Sequence, residues 1–209
     1  MKKLLSFLVV AMFAITASAQ VTWNLKGGLG ISSCRYSDGG NEDGKTHFVG
    51  KIGAGLEYPL SSNFSLMPSA EFALKGAKWA FTEEYESYED KLDIYYFQIP
   101  VLAAYRFNLT DRLNLVLKAG PYFAFGMAGS GKAKYEYNGE SESQSLDIFK
   151  DLGAKRFEAG LDFGIDFEFQ RFVVGAEYEF GLTPLAKEEG KDGFELKNSA
   201  FYVTVGYKF

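Results

Sequence analysis

Between Phe157 and Phe169 the chain reads FEAGLDFGIDFEF, and apolar residues trade places with polar or small ones at every step. Phe157, Ala159, Leu161, Phe163, Ile165, Phe167 and Phe169 share one parity; Glu158, Gly160, Asp162, Gly164, Asp166 and Glu168 share the other. A period of two turns successive side chains to opposite faces of a β-strand. The same alternation runs through the rest of the chain and predicts eight strands, at about 21–33, 46–59, 64–81, 92–107, 113–129, 155–169, 172–186 and 196–209. Most exceed the ~5–6 residues usual for globular strands. They are long enough to cross a bilayer at a tilt, which takes about 9–11 residues.

The connections alternate in length. Ser61 to Asn63, Asn108 to Arg112, and Gln170-Arg171 are short, whereas Cys34 to Lys45, Thr82 to Lys91, Ser130 to Ala154 and Lys187 to Glu195 are long and polar. With an even strand number, every short turn falls at one end of the sheet and every long loop at the other. Short periplasmic turns and long extracellular loops are the pattern of bacterial outer-membrane barrels.

Residue volume decides which face lies inside. The polar parity carries Gly28, Gly30, Gly53, Gly55, Gly120, Gly126, Gly160, Gly164, Gly175 and Gly206. The interior of an eight-stranded barrel is just wide enough for side chains to fill it. Phe, Leu and Tyr from eight strands would overfill that space, so the bulky face points outward. Such an exterior is tolerable only in lipid, where the sheet must also close because a free edge finds no partner. The expected fold is all-β: an eight-stranded antiparallel up-and-down transmembrane β-barrel.

The same parity turns Lys26, Lys51, Glu57, Glu71, Lys75, Arg106, Lys118, Glu158, Asp162, Asp166, Glu168, Glu177 and Glu179 into the lumen. An unpaired charge in a narrow lumen costs several kcal/mol, so compensation within a salt-bridged plug is expected. A narrow conduit for small solutes is the alternative, although aqueous channels usually need about 16–18 strands. Metal binding is not expected. Asp162 and Asp166 stand roughly 13 Å apart along one strand, and Asp166 and Glu168, about 7 Å apart, would need help from a neighbour. No catalytic or cofactor-binding residues are assigned either: G-x-S-x-G, H-E-x-x-H and a glycine-rich phosphate loop are all missing from the sequence.

Aromatics at strand ends read as girdles at the two membrane interfaces: Trp23, Tyr58, Trp79, Tyr95, Tyr105, Phe107, Tyr178, Tyr207 and Phe209. In the last strand Phe201, Val203, Val205, Tyr207 and Phe209 face one way, and Ala200, Tyr202, Thr204, Gly206 and Lys208 the other. That ending at Phe209 resembles the signal read by the outer-membrane assembly machinery, which is therefore an expected partner.

Composition adds the compartment. Residues 1–19 pair Lys2 and Lys3 with an apolar run from Leu4 to Ile15 and an Ala17-Ser18-Ala19 motif. This predicts a cleaved secretory signal peptide, with the barrel domain over 20–209 and an outer-membrane destination. Cys34 is the only cysteine and excludes an intrachain disulfide; His47, the only histidine, lies thirteen residues on. The net charge of −5 argues against a nucleic-acid partner. The acidic run TEEYESYEDK at 82–91 and the mixed charges of 130–154 read as solvated loop surface. The sharper alternative is recognition of a cation-bridged lipopolysaccharide or another extracellular ligand, since barrels carry function in their loops.

Three stretches, YYFQIPVLAAYRF (95–107), LKAGPYFAFG (117–126) and GAEYEFGLTPL (175–185) followed by FYVTVGYKF, resemble the outer-membrane β-barrel proteins common in Bacteroidetes, labelled porin-family or PorT-family. The resemblance covers the whole mature chain and implies an eight-stranded barrel of the small OmpA-like type; an appended peptidoglycan-binding domain is not expected, because the sequence stops at the eighth strand. It fixes no activity. A structural or surface-recognition role is the expectation, followed by a narrow channel and then a rim-site lipid-modifying enzyme near His47. Assistance to a secretion or gliding apparatus rests on the PorT label alone.

Overall fold

The computed structural model describes residues 21–36, 45–82, 86–137, 140–187 and 195–209. The predicted export segment lies outside them. Ten strands follow one another as β1 (Thr22–Tyr36), β2 (His47–Pro59), β3 (Phe64–Thr82), β4 (Glu86–Asn108), β5 (Leu113–Tyr137), β6 (Glu140–Asp147), β7 (Phe157–Phe169), β8 (Phe172–Gly181), β9 (Ala186–Lys187) and β10 (Glu195–Lys208). Eight of them, in the order β1-β2-β3-β4-β5-β7-β8-β10, pair as antiparallel neighbours, and β1 pairs with β10 to close the barrel. The closing seam runs unbroken from Asn24↔Lys208 to Tyr36↔Leu196. Closure leaves the barrel wall with no free edge.

Short turns join β2–β3, β4–β5 and β7–β8 at one end. Gln170, in the two-residue turn between β7 and β8, takes a positive φ of 55°, as tight hairpin turns demand. The alternation at 157–169 is realised residue by residue: Glu158, Asp162, Asp166 and Glu168 are buried, while Phe157, Phe163, Phe167 and Phe169 are exposed on the outside. Leu29, Ile52, Phe72, Val203 and Val205 complete an apolar exterior. No helix among the described residues is long and apolar enough to cross a membrane, which says nothing about a barrel.

Two regions depart from the sequence reading. The segments 86–91 and 130–137, expected in loops, prolong β4 and β5, and Glu140–Asp147 adds β6 beside β5 from Ser130↔Asp147 to Tyr137↔Glu140. Strands β3 to β6 thus continue as a sheet past the barrel. Clear of lipid, both faces of a sheet can be polar, so the apolar alternation fades although the strand does not. At the other site, β8 stops at Gly181, and the expected strand to 186 is replaced by a bend with the two-residue β9.

Trp79 is a third correction. It shares the inward parity of Lys75 and Ala77 and packs against a buried apolar cluster, so it does not belong to the girdle. Trp23, Tyr95, Tyr105, Phe107, Tyr178 and Phe209 are exposed on the outer face; Tyr58 and Tyr207 are half-buried on it. Tyr105 with Phe107, and Tyr207 with both Phe172 and Phe209, form ring pairs at the turn end, with centroids 4.8–5.3 Å apart.

Candidate functional site

The inward-facing polar residues form three tiers along the lumen. At the turn end, Arg106 of β4 reaches Glu57 at 2.6 Å and Glu168 at 3.0 Å. Lys208 of β10 bridges the same two carboxylates, 2.6 Å from Glu57 and in contact with Glu168. Ser65 Oγ donates to Glu57 at 3.0 Å. Two cations and two carboxylates from β2, β4, β7 and β10 thus tie four staves of the barrel together. A vestibule of about 470 Å³ opens beneath them, bordered by Thr22, Asn114 and Arg171 as well as this quartet.

The middle tier is the densest. Lys26 lies 2.8 Å from Glu71 and 2.9 Å from Glu177. Lys51 lies 2.9 Å from Glu179 and 3.5 Å from Glu71, and also contacts Glu177. Lys118 is 2.6 Å from both Asp166 and Glu177. Gln98 Nε2 donates to Glu71 at 3.1 Å and to Glu179 at 2.8 Å, and Ser69 Oγ donates to Glu71 at 2.6 Å. Inside this crowd the glycines have a plain steric use. A Cβ on Gly53 would come within 2.5 Å of Glu71 Cγ, and one on Gly164 within 2.9 Å of Lys118 Cγ.

Above it, Lys75 pairs with Glu158 at 2.9 Å and Glu179 at 2.7 Å, beneath the rings of Tyr122 and Tyr96. Glu158 accepts further bonds from Tyr122 at 2.7 Å and Asn198 at 2.6 Å. The lumen then turns apolar. Cys34, Ala77, Ile94, Ile148, Leu185 and Leu196 are buried together, and Trp79 and Phe149 pack on them. Ile148 and Phe149 come from the turn after β6, which the Ala154 amide closes onto the Ile148 carbonyl at 3.0 Å. The Arg156 guanidinium lies over the Phe149 ring, 4.2 Å from its centroid.

Of the thirteen side chains expected inside, twelve are joined by ion pairs. Asp162 differs: it is fully buried, and no hydrogen-bond donor among the described residues reaches either of its oxygens. Lys208 completes the turn-end tier although it is absent from that set; its parity with Tyr202 and Thr204 was the available signal. Gln98, Tyr96, Tyr122 and Asn198 were also missed, because an uncharged polar residue on an alternating strand announces no partner.

Along any one strand the carboxylates stand too far apart to share a small cation unaided. Across strands, Glu71, Glu177 and Glu179 do bring one oxygen each within 4.8 Å of one another. Lys26 and Lys51 lie directly on them, so ammonium groups supply the positive charge there. His47 Nε2 lies 2.7 Å from Asp93 Oδ1, and Cys34 Sγ donates to Asn198 at 3.1 Å. The two residues are thus engaged separately and form no thiol–imidazole pair.

The chain is similar to several solved structures. Ail, the attachment invasion locus protein of Yersinia pestis, solved with the heparin analogue sucrose octasulfate, is 18% identical over 91% of this chain and 99% of its own, with a TM-score of 0.42. Neisserial surface protein A is 12% identical over 90% of this chain and 97% of its own, at a TM-score of 0.47. The N-terminal barrel of Pseudomonas aeruginosa OprF is 12% identical over 92% and 100%, at 0.36. No curated protein matches the sequence. Residues 16–187 match the family described as outer membrane protein beta-barrel domain. With that match over most of its length, a closed eight-stranded wall and an apolar exterior, this chain belongs to the outer membrane β-barrel family and is a protein of the outer membrane.

Proposed function

We propose that the protein is a structural or surface-recognition barrel whose lumen is a salt-bridged plug rather than a pore. The observation that carries this reading is the continuity of the three tiers, from Arg106 and Lys208 at the turn end to Lys75 and Glu158 beneath the apolar cap. Each cation touches at least two carboxylates, and burial of such charges is tolerable only with that compensation. The lumen charge set Lys26, Lys51, Glu57, Glu71, Lys75, Arg106, Lys118, Glu158, Asp162, Asp166, Glu168, Glu177 and Glu179 therefore serves the wall and not a reaction.

Recognition falls to the sheet extension of β3–β6, which presents exposed Tyr88, Lys132 and Lys134 outside the barrel. A lipopolysaccharide or protein ligand suits this surface. The finer membership in the PorT-like group of Bacteroidetes rests on the stretches at 95–107, 117–126 and 175–185. Export through a cleaved signal peptide and delivery by the assembly machinery through the strand ending at Phe209 complete the proposal.

Planar-bilayer recording tests it. The purified barrel should give no resolved conductance steps. Steps that vanish when Arg106 or Asp162 is replaced would overturn the plug and establish the narrow channel.

A further inference from the structure

The seam between β2 and β3 opens partway up the wall. Pairing runs from Pro59↔Ser65 to Lys51↔Ala73 and then stops; the next contact is the single bridge Lys45↔Lys78, one residue out of register. In the interval β3 lies inward of its neighbour. Ser32 of β1 donates through Oγ to the Gly76 carbonyl at 2.6 Å and accepts from the Gly76 amide at 2.9 Å. Tyr202 of β10 donates to the Leu74 carbonyl at 3.1 Å. Backbone groups that β2 would ordinarily satisfy are therefore met by hydroxyls from inside the barrel. Gly76 allows the displacement: its φ is 156°, and a Cβ there would overlap the Leu92 carbonyl.

The displacement leaves a trough of about 430 Å³ on the outer face, walled by Leu29, Gly50, Ile52, Phe72, Tyr95 and Met127. That volume lies within the ~300–1,000 Å³ of small-molecule sites. Inward-facing Ala73 and Tyr96 also border it, so its floor reaches through the plane of the wall. Counted from the turn end, Leu29 is the eighth residue of β1 and Phe72 the ninth of β3. The trough thus falls within the ~9–11 residues that traverse hydrocarbon. Its occupant is set by that depth and by its apolar walls.

We propose that this trough is a binding site for one acyl chain of an outer-membrane lipid, seated in the gap between β2 and β3. The claim rests on the barrel's place in the membrane and is independent of whether the lumen conducts. Gly50 is its natural test position. A Cβ there would meet only the Gly28 carbonyl oxygen at 3.2 Å and Leu29 Cδ2 at 3.4 Å, so a larger side chain projects into the trough with little disturbance of the wall.

The experiment uses the full barrel in phosphatidylethanolamine–phosphatidylglycerol vesicles containing a phospholipid with a diazirine on its acyl chain. After photolysis and digestion, labelling of the peptides around Gly50–Ile52 and Phe72–Leu74 should exceed labelling around outward-facing Phe163 several-fold. Gly50→Leu should reduce the excess to the Phe163 level and leave Phe163 labelling unchanged. Met127→Trp, entering from the opposite wall, repeats the test should Gly50→Leu fail to give a folded, heat-modifiable band. Uniform labelling over the outer face, or an excess that survives both substitutions, would overturn the site.

Discussion

The two seams flanking the first hairpin make opposite use of the same chemistry. Between β1 and β10, the ends of the described barrel, pairing is continuous over thirteen rungs. Between β2 and β3, neighbours joined by a four-residue turn, it lapses above Lys51↔Ala73. Nearness in sequence therefore does not decide where the wall is tight. The closing seam is tight because small residues let backbones approach, as where Gly30 faces Tyr202. The other seam is interrupted because hydroxyls inside the barrel offer β3 an equivalent set of partners. In lipid every backbone group needs such a partner, and the gap is stable only while those hydroxyls are present.

The largest effect is expected on the closing seam. A Cβ on Gly30 would overlap the Phe201 carbonyl, so Gly30→Val should prevent closure and abolish the folded, heat-modifiable band on gels. Next comes Lys51, on the last rung before the gap. Lys51→Met leaves Glu71, Glu177 and Glu179 short of one shared cation and should cost about 3–5 kcal/mol in urea unfolding followed by tryptophan fluorescence. The smallest loss belongs to the gap itself. Ser32→Ala orphans the amide and carbonyl of Gly76 and should cost about 1–3 kcal/mol by the same assay. Ser199→Ala is the matched control on the closing seam, where its hydroxyl has only a 3.5 Å approach to Ser33. An equal loss at Ser32 and Ser199 would mean that the two seams do not differ in the way described.

Much of the wall was legible in the sequence because a period of two has one physical meaning. Phe163 outward and Asp162 inward follow from parity and volume alone, and the even strand number follows from counting the alternating segments. Ion-pair partners were not legible, since they depend on barrel stagger: Lys51 meets Glu179 of β8 from across the lumen. The gap was hidden because Gly76 is one glycine among many on these strands, and nothing in Leu74, Lys75, Gly76 and Ala77 says the strand moves inward. Trp79 was misplaced for the reverse reason. Its position near a strand end suggested an interface, whereas its shared parity with Lys75 and Ala77 already pointed to the interior. The extension of β4 and β5 was lost in a polar stretch that carries no apolar stripe.

That extension sets a distance. β6 pairs with β5 over eight residues, about 26 Å of strand at ~3.3 Å per residue. The rung Tyr137↔Glu140 therefore lies about three Debye lengths, of about 8 Å each at physiological salt, from the rung Ser130↔Asp147. A ligand held there would scarcely feel the charge of the lipid headgroups below. Its affinity would be set by the tip's own residues, and the barrel would act toward it as a mast.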